Sequence, residues 1–357
     1  MSFEIVKLAR LRRPVRNPGI GITALIIMSI LLAGLAGCAS PATATKPTVV
    51  IGYMDNGAEP ELIAIALGLF SKRMNANVQI KYFDSGPASL GAIASGALQI
   101  MSGIGSPPIV SAITRGVSLQ VVWSQELYTS AEGLVVRSDA GIHSVKDLQG
   151  KTIALVLGST SEFALDATLK KAGVNPSTVH KLNMSPPAMR TAWSNHSIDA
   201  AYVWDPVFDT ISHENGKILS TDQNVQQEAP VYSLSLVNTN WAKSNPKLVK
   251  GFIQAQNDAV TYYKQHPDEA LQLIAKQDGI SVNLAKTEMV GYKIFNAQDQ
   301  LGAEGLGQGN SVSSSLVAQS LFLSAAFMHS IGTLNSIPAH LEQDVNPTYV
   351  EDVLKGK

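Results

Sequence analysis

The sequence predicts an α/β protein built on a mainly parallel sheet with helices covering both faces. Three observations predict it. Short apolar runs alternate with amphipathic stretches from residue 48 to residue 213. The junctions between them are rich in Gly, Ser and Pro, and beyond Asn238 the pattern turns mostly helical.

Strands are expected near 48–53, 78–82, 98–101, 119–123, 134–137, 152–157, 179–182 and 200–204. Amphipathic segments lie near 60–73, 87–96, 106–115, 160–172, 185–195 and 205–213. Each has the apolar spacing that turns one helical face toward a sheet. The later helices are expected at 246–265, 267–277, 283–295 and 313–331, with 302–310 (GAEGLGQGN) as a flexible interruption. No repeat of solenoid length is present.

Four strand-to-helix junctions share one composition: Asp84-Ser85-Gly86-Pro87, Gly103-Ile104-Gly105-Ser106-Pro107-Pro108, Gly158-Ser159-Thr160-Ser161 and Met184-Ser185-Pro186-Pro187. Ser, Thr or Gly at a helix start caps free amides, and Pro suits the first turn. The same amides and the positive dipole end attract an anion, and in open α/β sheets such junctions are where ligands bind. Plain capping explains any one junction. The Ser159-Thr160-Ser161 run is sharper, since one cap needs only one hydroxyl.

Composition narrows the possible functions. Of 357 residues 45% are hydrophobic and 15% charged, which is ample for packed cores. Lys and Arg number 27 against 28 Asp and Glu, so there is no basic footprint for nucleic acid. The single cysteine, Cys38, excludes an intrachain disulfide, a zinc ribbon and a Cys-ligated iron–sulfur cluster. The seven histidines lack the spacing of a helical metal site, and neither a metal nor a cofactor is expected. Gly150-Lys151-Thr152 imitates the end of a phosphate-binding loop, but Val145 stands where its first glycine belongs.

The first 37 residues read as a targeting segment. Lys7, Arg10, Arg12, Arg13 and Arg16 precede an apolar run over 20–36. That run is long for a cleaved signal and short for a spanning helix. Leu35-Ala36-Gly37-Cys38 resembles the lipobox of bacterial lipoproteins, in which the cysteine is acylated and becomes the first mature residue; an uncleaved signal anchor is the alternative. With the signal removed, 22 basic and 27 acidic residues remain, a net charge of −5. Residues 38–47 have the small, polar composition of a tether.

Several motifs in order carry a wider resemblance: Gly57-Ala58-Glu59-Pro60, Phe83-Asp84-Ser85-Gly86, Gly105-Ser106-Pro107, Ser130-Ala131-Glu132, Ser159-Thr160-Ser161, Pro186-Pro187 with Ala192-Trp193, and Ile198 through Pro206 (IDAAYVWDP). Over 48–350 the chain resembles the taurine and aliphatic-sulfonate-binding proteins of ABC importers. The resemblance implies a two-lobed, type II periplasmic-binding-protein fold that closes on its ligand like a hinged clamp. Lobe 1 would be 48–136 plus 237–357, and lobe 2 would be 137–236.

It also implies a monomer that captures a small sulfonate outside the cytoplasm without chemistry of its own. The protein would be held to the membrane by its lipid and would deliver to permease and ATPase subunits. Taurine pairs a sulfonate with an ammonium, so the site needs neutral donors at one end and carboxylates at the other. Ser106, Ser159, Thr160 and Ser161, with Ser85, Gly105 and neighbouring amides, are the candidate anion contacts. Glu59, Glu132 and Asp205 are the candidate ammonium contacts. Trp204 and Tyr53 would wall the methylenes. Asp205 could equally cap the following helix, Glu132 could serve as a dipole partner, and Trp204 could be a core aromatic. The same fold also takes nitrate, sulfate esters or thiamine precursors, and includes a pyrimidine-synthase-like enzyme that uses a Cys-rich segment. This chain has no such segment.

Overall fold

The computed structural model describes residues 45–356. The targeting segment, Cys38 and most of the tether therefore lie outside the described residues. All eight expected strands are present and three more join them: β1 (Thr48–Met54), β2 (Asn77–Phe83), β3 (Ile100–Ile104), β4 (Leu119–Tyr128), β5 (Glu132–Arg137), β6 (Thr152–Leu155), β7 (His180–Asn183), β8 (Ala200–Trp204), β9 (Gly216–Thr221), β10 (Tyr232–Asn238) and β11 (Tyr292–Ile294). They form two sheets. The first has the order β11-β4-β10-β3-β1-β2, and the second β7-β6-β8-β5-β9.

Both sheets are mixed, so the expected α/β class holds but the mainly parallel pairing does so only in part: among the described residues four strand pairs are parallel and five antiparallel. β1, β2 and β3 are mutually parallel, but β10 lies antiparallel between β3 and β4. In the second sheet β5 runs antiparallel to both β8 and β9. The cause is topological. The chain leaves the first sheet at the end of β4 and re-enters it at the start of β10, where Tyr232 pairs with Leu127. A strand that returns at the end its neighbour left must run the other way.

The chain changes sheet across residues 129–131 and again across 222–231. The expected divisions after 136 and 236 therefore fall within β5 and β10, which pair in the second and first sheets respectively. Glu132 and Gly133 lack a strand composition, so β5 reads in the sequence as if it began at Leu134.

The helices are α1 (Glu61–Ala66), α2 (Leu69–Met74), α3 (Gly86–Ala94), α4 (Ser106–Thr114), α5 (Thr160–Lys171), α6 (Pro186–Ser194), α7 (Val207–His213), α8 (Thr239–Ser244), α9 (Pro246–Gln265), α10 (Pro267–Asp278), α11 (Val282–Met289), α12 (Leu316–Ser330) and α13 (Thr348–Leu354). The single helix expected over 60–73 is broken by Gly68, whose φ of 63° is left-handed. The helix expected over 283–295 stops at Met289, and Tyr292–Ile294 adds an edge strand to β4. The glycine-rich stretch 302–310 is anchored rather than loose: Leu306 is fully buried and its amide donates to Gln300 O.

Trp123, Ile51 and Ile100 fill the core around the first sheet, where Phe252 of α9 stacks on Phe70 of α2 at 5.3 Å. Trp193 and Tyr202 anchor the second. No helix among the described residues is long and apolar enough to cross a membrane.

Candidate functional site

The carboxyl ends of β1, β3, β6 and β8 carry loops and helix starts that converge on one narrow cavity of about 20 Å³. Gly86, Gly103, Gly105 and Pro108 line it from the first sheet, and Ser159, Thr160 and Trp204 from the second. Asn56, Tyr128 and Tyr232 complete the wall. The larger hollow beside Arg115 and Leu334 is an open outer groove without a helix N-terminus.

Close approach across the cavity depends on glycine. A Cβ at Gly105 would overlap Thr160 Cγ2, so the start of α4 touches the start of α5 only because position 105 has no side chain. Trp204 Nε1 donates to Asp55 O at 3.2 Å, a second tie between the sheets. Gly57, at φ 86°, allows the loop after β1 to pass Asp205, since a Cβ there would stand 2.8 Å from Asp205 Cβ.

Of the sequence candidates, Gly105, Ser159, Thr160 and Trp204 line the cavity. The others are buried around it. Ser159 caps α5, accepting from Ser161 N at 3.2 Å and donating to Val156 O at 2.7 Å. The other two hydroxyls of the run converge on one acceptor: Thr160 donates to Glu132 Oε1 at 3.2 Å, and Ser161 donates to the same oxygen. The Ser106 hydroxyl is paired with that of Ser320 on α12 at 2.7 Å, leaving its backbone amide at the first turn of α4. Ser85 precedes α3 as its N-cap without a side-chain capping bond, and its neighbour Gly86 faces the cavity.

The carboxylates form a buried acidic wall. Glu59 is fully buried beside Glu126 and Tyr53, with no well-aligned hydrogen bond among them. Burial first, then the charge of Glu126, pushes Glu59 well above the usual carboxylate range. Burial likewise raises Glu126 to about 8 and Glu132 to about 7. Asp205 is raised by burial and next by Glu288, and its Oδ1 caps α7 by accepting from Asp209 N at 3.0 Å. Tyr128, which lines the cavity, feels the charges of Glu126, Glu59, Glu132 and Asp205 and is itself raised by burial. A region with this surplus of carboxylates lowers its energy most by taking up a cation or protons.

Sequence reasoning missed Asn56, Glu126, Tyr128, Tyr232 and Ser320. Asn56 Nδ2 donates to Gly103 O at 3.1 Å, bracing the irregular stretch of β3 where Gly103 takes a φ of 83°. Tyr232 donates to Glu304 O at 2.6 Å. Tyr128 packs edge-on against Tyr292 with ring centroids 5.0 Å apart. Each stands in a strand or turn where an aromatic or amide reads first as core or loop. The alternation along β4 that puts Glu126 on the face of Tyr128 was the one available signal.

Comparison with known proteins places these features in context. The family described as NMT1/THI5 like matches residues 58–270. The chain is 35% identical over 257 residues to the taurine-binding periplasmic protein of Escherichia coli K12, covering 70% of this chain and 78% of that one. It is 29% identical over 258 residues to a putative aliphatic sulfonates-binding protein of Bacillus subtilis 168, covering 71% and 76%. Among solved structures, the alkanesulfonate-binding protein SsuA of Xanthomonas axonopodis pv. citri, bound to MOPS, superposes with a TM-score of 0.69 at 19% identity. That match covers 85% of this chain and 99% of SsuA, and establishes the shared fold.

Proposed function

Since the chain belongs to the NMT1/THI5-like family, we propose that it is an extracytoplasmic substrate-binding protein of an ABC importer that captures taurine or a related small sulfonate. The observation that carries the reading is the contact of the α4 and α5 N-termini at the cavity, one from each sheet. Helix starts present free amides and positive dipole ends, which suit a sulfonate oxygen triad that remains ionised. Gly105 and Ser106, with Ser159, Thr160 and Ser161, form that end, and Gly86 beside Ser85 extends it. The acidic wall of Glu59, Glu126 and Asp205 suits the ammonium, and Trp204, Tyr53 and Tyr128 enclose the methylenes.

Residues 48–128 with 232–356 form one lobe in this proposal and 132–221 the other, with the two chain crossings as the hinge. A ligand that bridges both helix starts then favours closure, because it binds the closed state better than the open one. Cys38 carries the lipid that holds the monomer at the membrane beside its permease and ATPase subunits.

A thermal-shift series with taurine, ethanesulfonate, nitrate and a thiamine precursor tests the assignment, since a ligand that binds only the folded state raises its melting temperature. Taurine is expected to give the largest rise. No rise with any sulfonate at millimolar concentration would overturn the assignment.

A further inference from the structure

Glu132 and Asp222 stand where the two chain crossings meet the second sheet: Glu132 opens β5, and Asp222 follows β9. Both are fully buried and their carboxyl groups face each other. Glu132 Oε1 accepts from Thr160 and Ser161, and Asp222 Oδ1 accepts from Tyr202 OH at 2.9 Å. The remaining oxygens, Glu132 Oε2 and Asp222 Oδ2, are buried with no donor. Two acceptor-only atoms that face each other in a buried site are satisfied by one proton between them.

We propose that Glu132 and Asp222 share a proton and act as a positioning pair, so that capture of the sulfonate is coupled to protonation of the pair. This rests on the functional reading above. The coupling runs through Thr160, a residue that lines the cavity and whose hydroxyl donates to Glu132. A hydrogen bond to an ionised carboxylate is about twice as strong as one to a neutral acceptor. When Glu132 ionises and Asp222 keeps the shared proton, Glu132 holds the Thr160 hydrogen and adds a negative charge beside the anion. When Glu132 is protonated as well, Oε1 is a neutral acceptor already served by Ser161, and Thr160 turns its hydrogen to the sulfonate. The titratable groups facing the pair are Tyr202 of β8 and Tyr128 of β4; no lysine, arginine or histidine contributes to the shift of either carboxyl. Burial raises Glu132 to about 7 and, with the Glu132 charge, holds Asp222 well above the usual carboxylate range, so near neutrality Glu132 is the member that ionises while Asp222 keeps the shared proton.

The test is calorimetric titration with taurine from pH 6 to 8.5, in buffers of low and high ionisation enthalpy. Wild-type affinity is expected to fall by up to about tenfold per pH unit above 7, the slope of one linked proton. Binding enthalpy is expected to differ between the buffers in the sense of proton uptake. Asp222→Asn donates an amide hydrogen to Glu132 and fixes its ionised form, so binding is weaker than wild type at pH 6 and flat with pH. Glu132→Gln mimics the neutral form and binds tighter than wild type at pH 8.5, again flat. Wild-type affinity and enthalpy independent of pH and buffer overturn the inference alone, as do two variants that shift in the same direction. The wild-type buffer comparison stands even where a variant does not fold. Absence of taurine binding at every pH overturns the functional reading itself, and this inference with it.

Discussion

Trp204 donates its indole N–H to the main-chain carbonyl of Asp55, 3.2 Å away, tying the end of β8 in the second sheet to the loop after β1 in the first. In the proposed clamp this bond would help hold the two sheets together around the ligand. Trp204→Phe keeps most of the ring and removes the donor. A hydrogen bond of this kind contributes about 0.5–1.5 kcal/mol, so taurine affinity should weaken about two- to tenfold. Calorimetry measures it, and an affinity equal to or above wild type contradicts the role.

Gly105→Ala places a methyl group against Thr160 Cγ2. The backbone at Gly105 (φ −79°) accepts alanine without strain, so the expected damage is to closure rather than to folding. Overpacking of this kind costs about 1–3 kcal/mol. Taurine binding should fall about five- to 150-fold with little change in melting temperature. Adding Thr160→Ser removes the clashing methyl while keeping the hydroxyl, and should restore much of the loss. Failure of the double variant to recover would place the damage elsewhere.

Without ligand, stability should decline as pH rises from about 5 to 8. Glu126 and Glu288 are raised to about 8 and Glu132 to about 7, with Glu59, Asp205 and Asp222 shifted in the same direction by burial. The unfolded chain releases those protons near the ordinary carboxylate range, about pH 4 to 4.5. In the window between, the folded form binds more protons than the unfolded one, so stability is greatest at the acid end and is lost through pH 7 to 8. Each group contributes about 1.4 kcal/mol per pH unit within its window. A higher melting temperature at pH 8 than at pH 5.5 would refute the burial of these acids.

Cys38→Ala should abolish incorporation of labelled fatty acid and leave the precursor at full length. Mature-size protein from the variant would rule out processing at this cysteine. This prediction rests on the sequence around Leu35–Cys38 alone.

The strands were legible because each is a short apolar run between Gly, Ser and Pro, as at 48–53 and 200–204. The three missed strands show what that signal lacks. β9 (Gly216–Thr221) is a largely solvated edge, and its sequence GKILST reads as loop. β10 carries three polar residues along YSLSLVN, two of them serines buried between neighbouring strands. β11 is only three residues long and exists through its pairing with β4. At the site, the Ser159–Ser161 run was visible as an excess of hydroxyls, but the acceptor for two of them, Glu132, comes from another strand. Glu126 and Asp222 have no local motif at all; they matter because the fold buries each against another carboxylate.

The insertion of β10 between β3 and β4 also sets an order of assembly. β3 ends at residue 104 and β4 at 128, yet the strand that joins them begins at residue 232. As the chain emerges from synthesis, its first sheet lacks a central strand until the whole second sheet has been made. A sheet with two unmatched edges and no central partner is slow to form and exposed to mispairing. The first sheet can therefore be completed only after residue 238 has been made, which would suit a protein that must cross a membrane before it folds.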